Sequence, residues 1–244
     1  MKIGPMDFNQ PSTWRGLIGL AAIGGISVSP AIAEQIALLA AALMALIETV
    51  AIALLGTLSA AVLALPVGLL AARNVTAQRI VRFLARRSLD TIRSVDILIW
   101  ALIWINVVGL GPFAGALAIM TSDIGSFGKL FSEAIEAADR KPVEGIASAG
   151  GSHVMGIRFG ILPEVFPVLA SQVLYYFESN TRSATIIGIV GAGGIGLHLA
   201  EAIRTLELQQ TSFIILMILV TVAAIDLVSS QLRFAMIGRR AGPG

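Results

Sequence analysis

The chain of 244 residues contains no cysteine, which excludes a disulfide framework, thiolate-held zinc and thiol chemistry and leaves the redox compartment open. Charge is also scarce: 13% of the residues are Asp, Glu, Lys or Arg, where a soluble domain carries roughly 25%. That sets aside a soluble enzyme, a disordered chain and a nucleic-acid-coating protein. Histidine is limited to His153 and His198, which the span assignment below puts on opposite sides of a membrane. No Ser/His/Asp set or carboxylate pair assembles at catalytic spacing, so no catalytic residue and no metal ligand is assigned. A glycine-rich phosphate loop ending in Lys-Ser or Lys-Thr is missing as well, so no nucleotide is bound and hydrolysed here.

Apolar residues are plentiful, at 56% of the chain. A hydrocarbon layer of about 30 Å takes about 20 apolar residues per helix, which leaves room for five or six spans with short loops. The polar N-terminus, Met1 to Arg15, leads into Gly16 to Ala33, an uncharged stretch interrupted by Gly24-Gly25 and Pro30. It resembles a signal peptide but leads into no mature soluble domain, and reads as a retained, marginal first span. Thr49 to Ala72 is the clearest span, with Pro66 inside it and an apolar approach, Ile36 to Ile47, that is either a short helix or an extension. Ile97 to Ser122 is broken at Gly109-Leu110-Gly111-Pro112 into the end of one span and the start of another, which runs towards Glu133 and Glu136. Ile157 to Phe177 and Leu208 to Leu232 complete the set, separated by Ser183 to Ala200, whose five glycines suit a short or broken helix packed against protein.

Arg73, Arg79, Arg82, Arg86, Arg87 and Arg93 crowd one loop region with Asp90 as its only acid, and the positive-inside rule makes that region cytoplasmic. Parity then puts the Gly109 to Pro112 turn outside, Asp139 to Arg158 inside, Glu178 to Arg182 near the outside, and both termini inside. All of the seventeen Lys and Arg residues except Lys129, Arg182 and Arg204 fall on the cytoplasmic side of this scheme.

Gly191-Ala192-Gly193-Gly194-Ile195-Gly196 matches the dinucleotide fingerprint, with a strand-like run before it and a helix-like run after. The fingerprint also requires an acidic residue about 20 positions on, and here that distance reaches Phe213-Ile214-Ile215-Leu216, the beginning of a span. Gly191, Gly193, Gly194 and Gly196 are therefore read as packing glycines that let helices approach closely. In the Asp139 to Arg158 segment, Pro142 suits a first helical turn, Glu144 lies near its positive end, and Gly150 or Gly151 suits a left-handed cap. A two-turn surface helix is expected there, against the plainer alternative of a connecting loop. Arg182 stands outside the positive belt, where an ionisable residue at membrane depth is a functional candidate. Glu178, four residues earlier, offers the structural alternative of an ion pair.

Glu144, Gly150, Leu162 and Pro163 stand at the spacing of the EAA loop of bacterial ABC-importer permeases, with Gly145, Ile146 and Gly160 where that pattern has Ala, Ala and Ile. Further blocks resemble the permeases of phosphonate importers in particular: Glu48-Thr49 through Ala71-Ala72-Arg73-Asn74, Val108 to Gly115, Gly128-Lys129-Leu130 with Glu133 to Ala137, Phe177 to Thr185, and Val190 to Gly196. The resemblance covers roughly Leu46 to Leu232. It implies an all-α polytopic helical membrane protein of the type I ABC importer permease fold with about six transmembrane helices. Residues 1–45 would be an N-terminal segment and 46–240 the permease domain, with a cytoplasmic coupling loop at 139–158.

The resemblance further implies import of phosphonate or a related phosphorus oxyanion across the bacterial inner membrane. The partners would be a second permease copy, two cytoplasmic ATPase subunits that bind the ATP and Mg, and an extracytoplasmic phosphonate-binding protein, with lipid around the spans and no nucleic acid. Pro142, Glu144, Gly150, Leu162 and Pro163 would couple to the ATPase. Glu178, Asn180, Arg182 and Ser183 would line the translocation path, Asn180 and Ser183 as neutral hydrogen-bonding groups. A permease for another solute such as methionine is the same-class alternative. An intramembrane enzyme or a non-transporting scaffold is the alternative from a different class.

Overall fold

A computed structural model describes residues 12–13, 16 and 30–237. The expected first span, 16–33, lies outside the described residues except for 16 and 30–33, and so do Lys2, Arg15, Arg239 and Arg240. Among the described residues every regular element is helical. Helix α1 is Pro30–Ala71, α2 Arg79–Arg93, α3 Ile97–Val108, α4 Pro112–Glu136 and α5 Lys141–Ser148. A helical turn at His153–Met155 and a π-helical stretch at Gly156–Ile161 lead without a break into α6, Leu162–Ile189. The chain closes with α7, Ile195–Arg204, and α8, Leu208–Ile237.

Lipid tails are as apolar as leucine, so helices in a bilayer associate through close packing and polar contacts rather than through exclusion of water. Helix α1 is built for this. Ala53, Ala60 and Ala64 are completely buried, and with Gly56 and Gly68 they form a seam of small residues three or four positions apart. A Cβ at Gly56 would stand 2.7 Å from Ile119, and one at Gly68 would stand 3.1 Å from Phe131. These contacts advance together along α1 and α4, so the two helices run parallel and cross the same depth. Phe127, Phe131 and Ile135 of α4 then meet Ile161, Val165 and Leu169 around Ala60, Ala64 and Ala72 in the largest buried cluster. Because α6 meets α1 in reverse order, Val165 near Ala64 and Ile187 near Ile52, it runs antiparallel to it.

Among the described residues three helical stretches, Gln35–Ala71, His153–Ile189 and Leu208–Ala235, are long and apolar enough to cross a membrane, and α2 and α3 meet at an 87° bend as either a broken span or a re-entrant pair. Helix α4 packs along α1. The architecture is the expected all-α polytopic one. Ile36 to Ile47 is an extension of α1, which runs unbroken for 42 residues. Boundaries differ from those expected at two places. The arginine-rich region is largely a helix, since arginine is a good helix former and Leu89 and Ala72 give α2 and its approach buried anchors.

The Gly109 to Pro112 turn is exposed, with Leu110 76% accessible. Helix α3 has 12 residues, about 18 Å of rise, and the turn ends beside Glu48 to Ile52, well inside α1. The fifth expected span also continues past Phe177 to Ile189. Thr181, Ser183 and Thr185 give their hydroxyl hydrogens to the carbonyls of Phe177, Ser179 and Thr181, so a segment that reads as polar stays helical at depth.

Candidate functional site

At the arginine-rich end, α5 forms the expected two-turn helix. Asp139 Oδ1 accepts the Lys141 N–H at 3.1 Å where the helix begins, and Pro142 occupies the first turn. Its far end is closed by two backbone bonds, Gly151 N–H to Ile146 O at 2.9 Å and Gly150 N–H to Ala147 O at 3.0 Å. That is the double closure of a Schellman cap, and Gly150 takes the left-handed conformation it requires, with φ at +84°. No residue of α5 is buried, so the helix projects from the bundle.

Leu162 and Pro163 lie further on, at the beginning of α6, and the adjacent Glu164 accepts the Asp139 N–H at 2.9 Å. On the other side Glu136 Oε1 accepts the Arg73 N–H at 2.6 Å and the Arg86 guanidinium, while Arg86 Nε donates to Ala71 O at 3.0 Å. Asn74 Nδ2 donates to Ile135 O at 2.7 Å. Glu136 thus ties the ends of α1, α2 and α4 together, and Glu164 of α6 holds the approach to the projecting helix. Sequence reasoning missed both carboxylates, because each one acts through a partner distant in the chain.

Halfway along the bundle, Asn180 donates to Thr57 Oγ1 at 2.8 Å and to Asp123 Oδ2 at 2.5 Å. Asn180 and Asp123 are each 4% exposed and Thr57 is completely buried. Both amide hydrogens of Asn180 are therefore spent on tying α6 to α1 and α4. Asp123 stands one residue beyond the uncharged stretch Ile97 to Ser122, where its charge reads as a span boundary; only the fold makes it a partner. Two residues earlier on α6, Glu178 Oε1 faces Arg182 at 3.3 Å and Glu178 Oε2 faces Arg233 of α8 at 2.9 Å. Glu178 is nearly buried, whereas the Arg182 side chain is half exposed.

Arg233 thus belongs to the body of α8, and Glu178 and Arg182 lie within α6, which continues to Ile189. Ser183 is bonded back to Ser179 O at 3.3 Å and adds nothing to the cluster.

The glycine-rich turn joins α6 to α7 against the α3–α4 turn, with Gly111 N–H bonded to Gly191 O at 3.0 Å. Gly191, Gly193 and Gly194 all have positive φ, and a Cβ at Gly196 would stand 2.0 Å from Thr185 O. The first amides of α7, which a dinucleotide site would turn towards a pyrophosphate, are already taken: Glu48 Oε1 accepts from Gly194 at 3.0 Å and Thr49 Oγ1 accepts from Ile195 at 2.8 Å. Helix α1 fills that place. His198 of α7 faces Glu201 at 3.8 Å, far along the chain from His153. Among the described residues no group of three His, Asp or Glu side chains converges as metal ligands would.

Comparison with known proteins gives this arrangement a context. The phosphite transport system permease protein PtxC of Stutzerimonas stutzeri is 39% identical over 188 residues, 77% of this chain and 68% of its own. The phosphate-import permease protein PhnE of Mycolicibacterium smegmatis is 38% identical over 190 residues, which span 78% of this chain but only 36% of that one. PhnE2 of Escherichia coli, named for a cryptic phosphonate transport system, is 50% identical over 117 residues, 48% of this chain and 96% of its own.

Among solved structures, a chain of the inward-facing MetNI methionine ABC transporter superposes with a TM-score of 0.68 at 18% identity, over 80% of this chain and 95% of that one. A chain of an amino acid ABC transporter gives 0.67 at 16% identity, over 85% and 99%. These likenesses establish the fold. Residues 64–240 match the model of one family in full sequence order, and on that match the chain belongs to the binding-protein-dependent transport system inner membrane components.

Proposed function

We propose that this chain is the membrane-spanning permease subunit of an ABC importer that carries phosphonate or a closely related phosphorus oxyanion into the cytoplasm. Support for the cargo comes from relatives named for phosphite, phosphate and phosphonate. One geometric observation carries the reading into this molecule: Glu178 is shared by two arginines, so the cluster retains a surplus positive charge, and that charge belongs to the half-exposed Arg182. A guanidinium presents planar, paired donors that match a phosphorus oxyanion. In a dimer of permeases two such groups would face a shared path, attracting an anion while Glu178 limits how tightly it is held. The tighter 2.9 Å bond of Glu178 to Arg233 leaves Arg182 freer to respond to cargo.

In this reading the arginine-rich end is cytoplasmic, and α5, projecting and rigidly capped, docks a separate ATPase subunit. Pro142, Glu144 and Gly150 shape the lever, and Leu162 and Pro163 join it to α6. Closure of two ATPase subunits on ATP and Mg would turn the lever, and the anchors at Glu136 and Glu164 would pass that rotation to α1, α4 and α6. An extracytoplasmic binding protein would deliver the cargo. A methionine permease is the second reading, favoured by the MetNI superposition, though at 18% identity that likeness reports fold alone. A test of cargo is growth: a host stripped of its own phosphonate importers, given this chain with its ATPase and binding protein, grows on methylphosphonate as sole phosphorus source. Failure to grow, with methionine uptake gained in its place, overturns the assignment.

A further inference from the structure

Of the three positions at which the coupling loop departs from its expected pattern, two meet in space. Ile146 stands where the pattern has alanine and Gly160 where it has isoleucine, fourteen residues apart and on different helices. A Cβ placed on Gly160 would lie 3.1 Å from Val143 Cγ2, 3.3 Å from Val143 N and 3.5 Å from Ile146 Cδ1. Val143 and Ile146 are three residues apart on α5 and so share its inner face. That face rests on a pad of three glycines: Gly160, Gly156, where a Cβ would lie 3.1 Å from Val143, and Gly151, where it would lie 2.5 Å from Ile146. Two of them fall in the π-helical stretch Gly156–Ile161, a local geometry found at functional positions in helices.

We propose that Ile146 and Gly160 are a volume-exchanged pair that sets how α5 sits on α6, the large side chain having moved from the span to the lever. The seat accepts one bulky aliphatic group between the two helices. In this chain the lever supplies it, and Gly160 lets the α5 backbone come close enough to hold it. Two large groups overfill the contact and tilt the lever; two small ones leave it loose. Ile146 and Gly160 are positioning residues, which act through the angle and stiffness of α5. The inference rests on the proposed coupling role of α5, and its test separates the contact from that role.

The test is a two-residue cycle in the full chain: Ile146→Ala, Gly160→Ile and the double variant. Gly160→Ile alone overpacks the seat and lowers coupled uptake by about tenfold, an effect equal to about 1.4 kcal/mol. Ile146→Ala alone costs about threefold. The double variant, which carries the alternative arrangement of the same volumes, recovers to within about twofold of the parent. The milder pair Gly160→Ala with Ile146→Ala repeats the cycle if Gly160→Ile does not fold. Thermal unfolding of the purified permease without its ATPase reads the contact independently of coupling. Additive losses in both readouts overturn the exchanged pair. Non-additive unfolding with unchanged uptake in every variant keeps the pair and refutes the lever.

Discussion

At the scale of single residues, the polar groups that hold the bundle together differ from the one proposed to meet cargo. Asn180 has both amide hydrogens committed, to Thr57 and Asp123, so Asn180→Ala strands a buried carboxyl group and costs about 1–3 kcal/mol. Thermal unfolding in detergent reads that loss, and restoring Asn at 180 abolishes it. Arg182 behaves oppositely, because Glu178 keeps Arg233 when Arg182 is removed. Arg182→Gln leaves the unfolding midpoint within about 2 °C, since about 0.5 kcal/mol or less is lost. The same change lowers uptake by about tenfold or more, the worth of a charge-assisted hydrogen bond to cargo. Arg182→Lys, which keeps the charge and loses the planar fork, falls between. A large drop in the midpoint for Arg182→Gln with normal uptake per folded molecule would make Arg182 a structural partner of Glu178.

At the scale of elements, what the sequence discloses depends on how local the cause is. The helix α5 could be read from Pro142, Glu144 and Gly150 because a first-turn proline and a left-handed cap act within eight residues. The run of helix through Glu178 to Ser183 could not, because hydroxyls bonded back to their own helix look, in sequence, like a loop. The anchors Glu136–Arg86 and Asp139–Glu164 were out of reach for a different reason: each closes a gap of tens of residues. Gly150 carries a prediction at this scale. Valine there must adopt φ near +84°, which costs about 1–2 kcal/mol and opens the end of the lever. Gly150→Val is expected to insert and purify like the parent but to bind its ATPase less well in a pull-down. Full ATPase binding by this variant would show that α5 is not the docking element.

At the scale of the whole molecule, two parallel helices, α1 and α4, share a seam of small residues, α6 runs back between them, and the polar contacts lie at the middle and at the arginine-rich end. In the proposed function such a bundle is a conduit with a handle, oriented by where arginine accumulates. A single cysteine at Ser148, on a chain that has none of its own, is expected to resist an impermeant thiol reagent in intact cells and to react once the cells are opened; reaction in intact cells reverses the topology. The all-α build was legible in the sequence, but the partner of the Gly191 to Gly196 turn was not: Glu48 and Thr49 of α1 reach it across 146 residues of chain. The most direct measurement is uptake of radiolabelled methylphosphonate by proteoliposomes holding this chain with its ATPase and binding protein. ATP-dependent accumulation that unlabelled phosphonate abolishes and methionine leaves unchanged is the predicted result; accumulation of methionine instead, or ATP hydrolysis with no movement of phosphonate, would contradict the account.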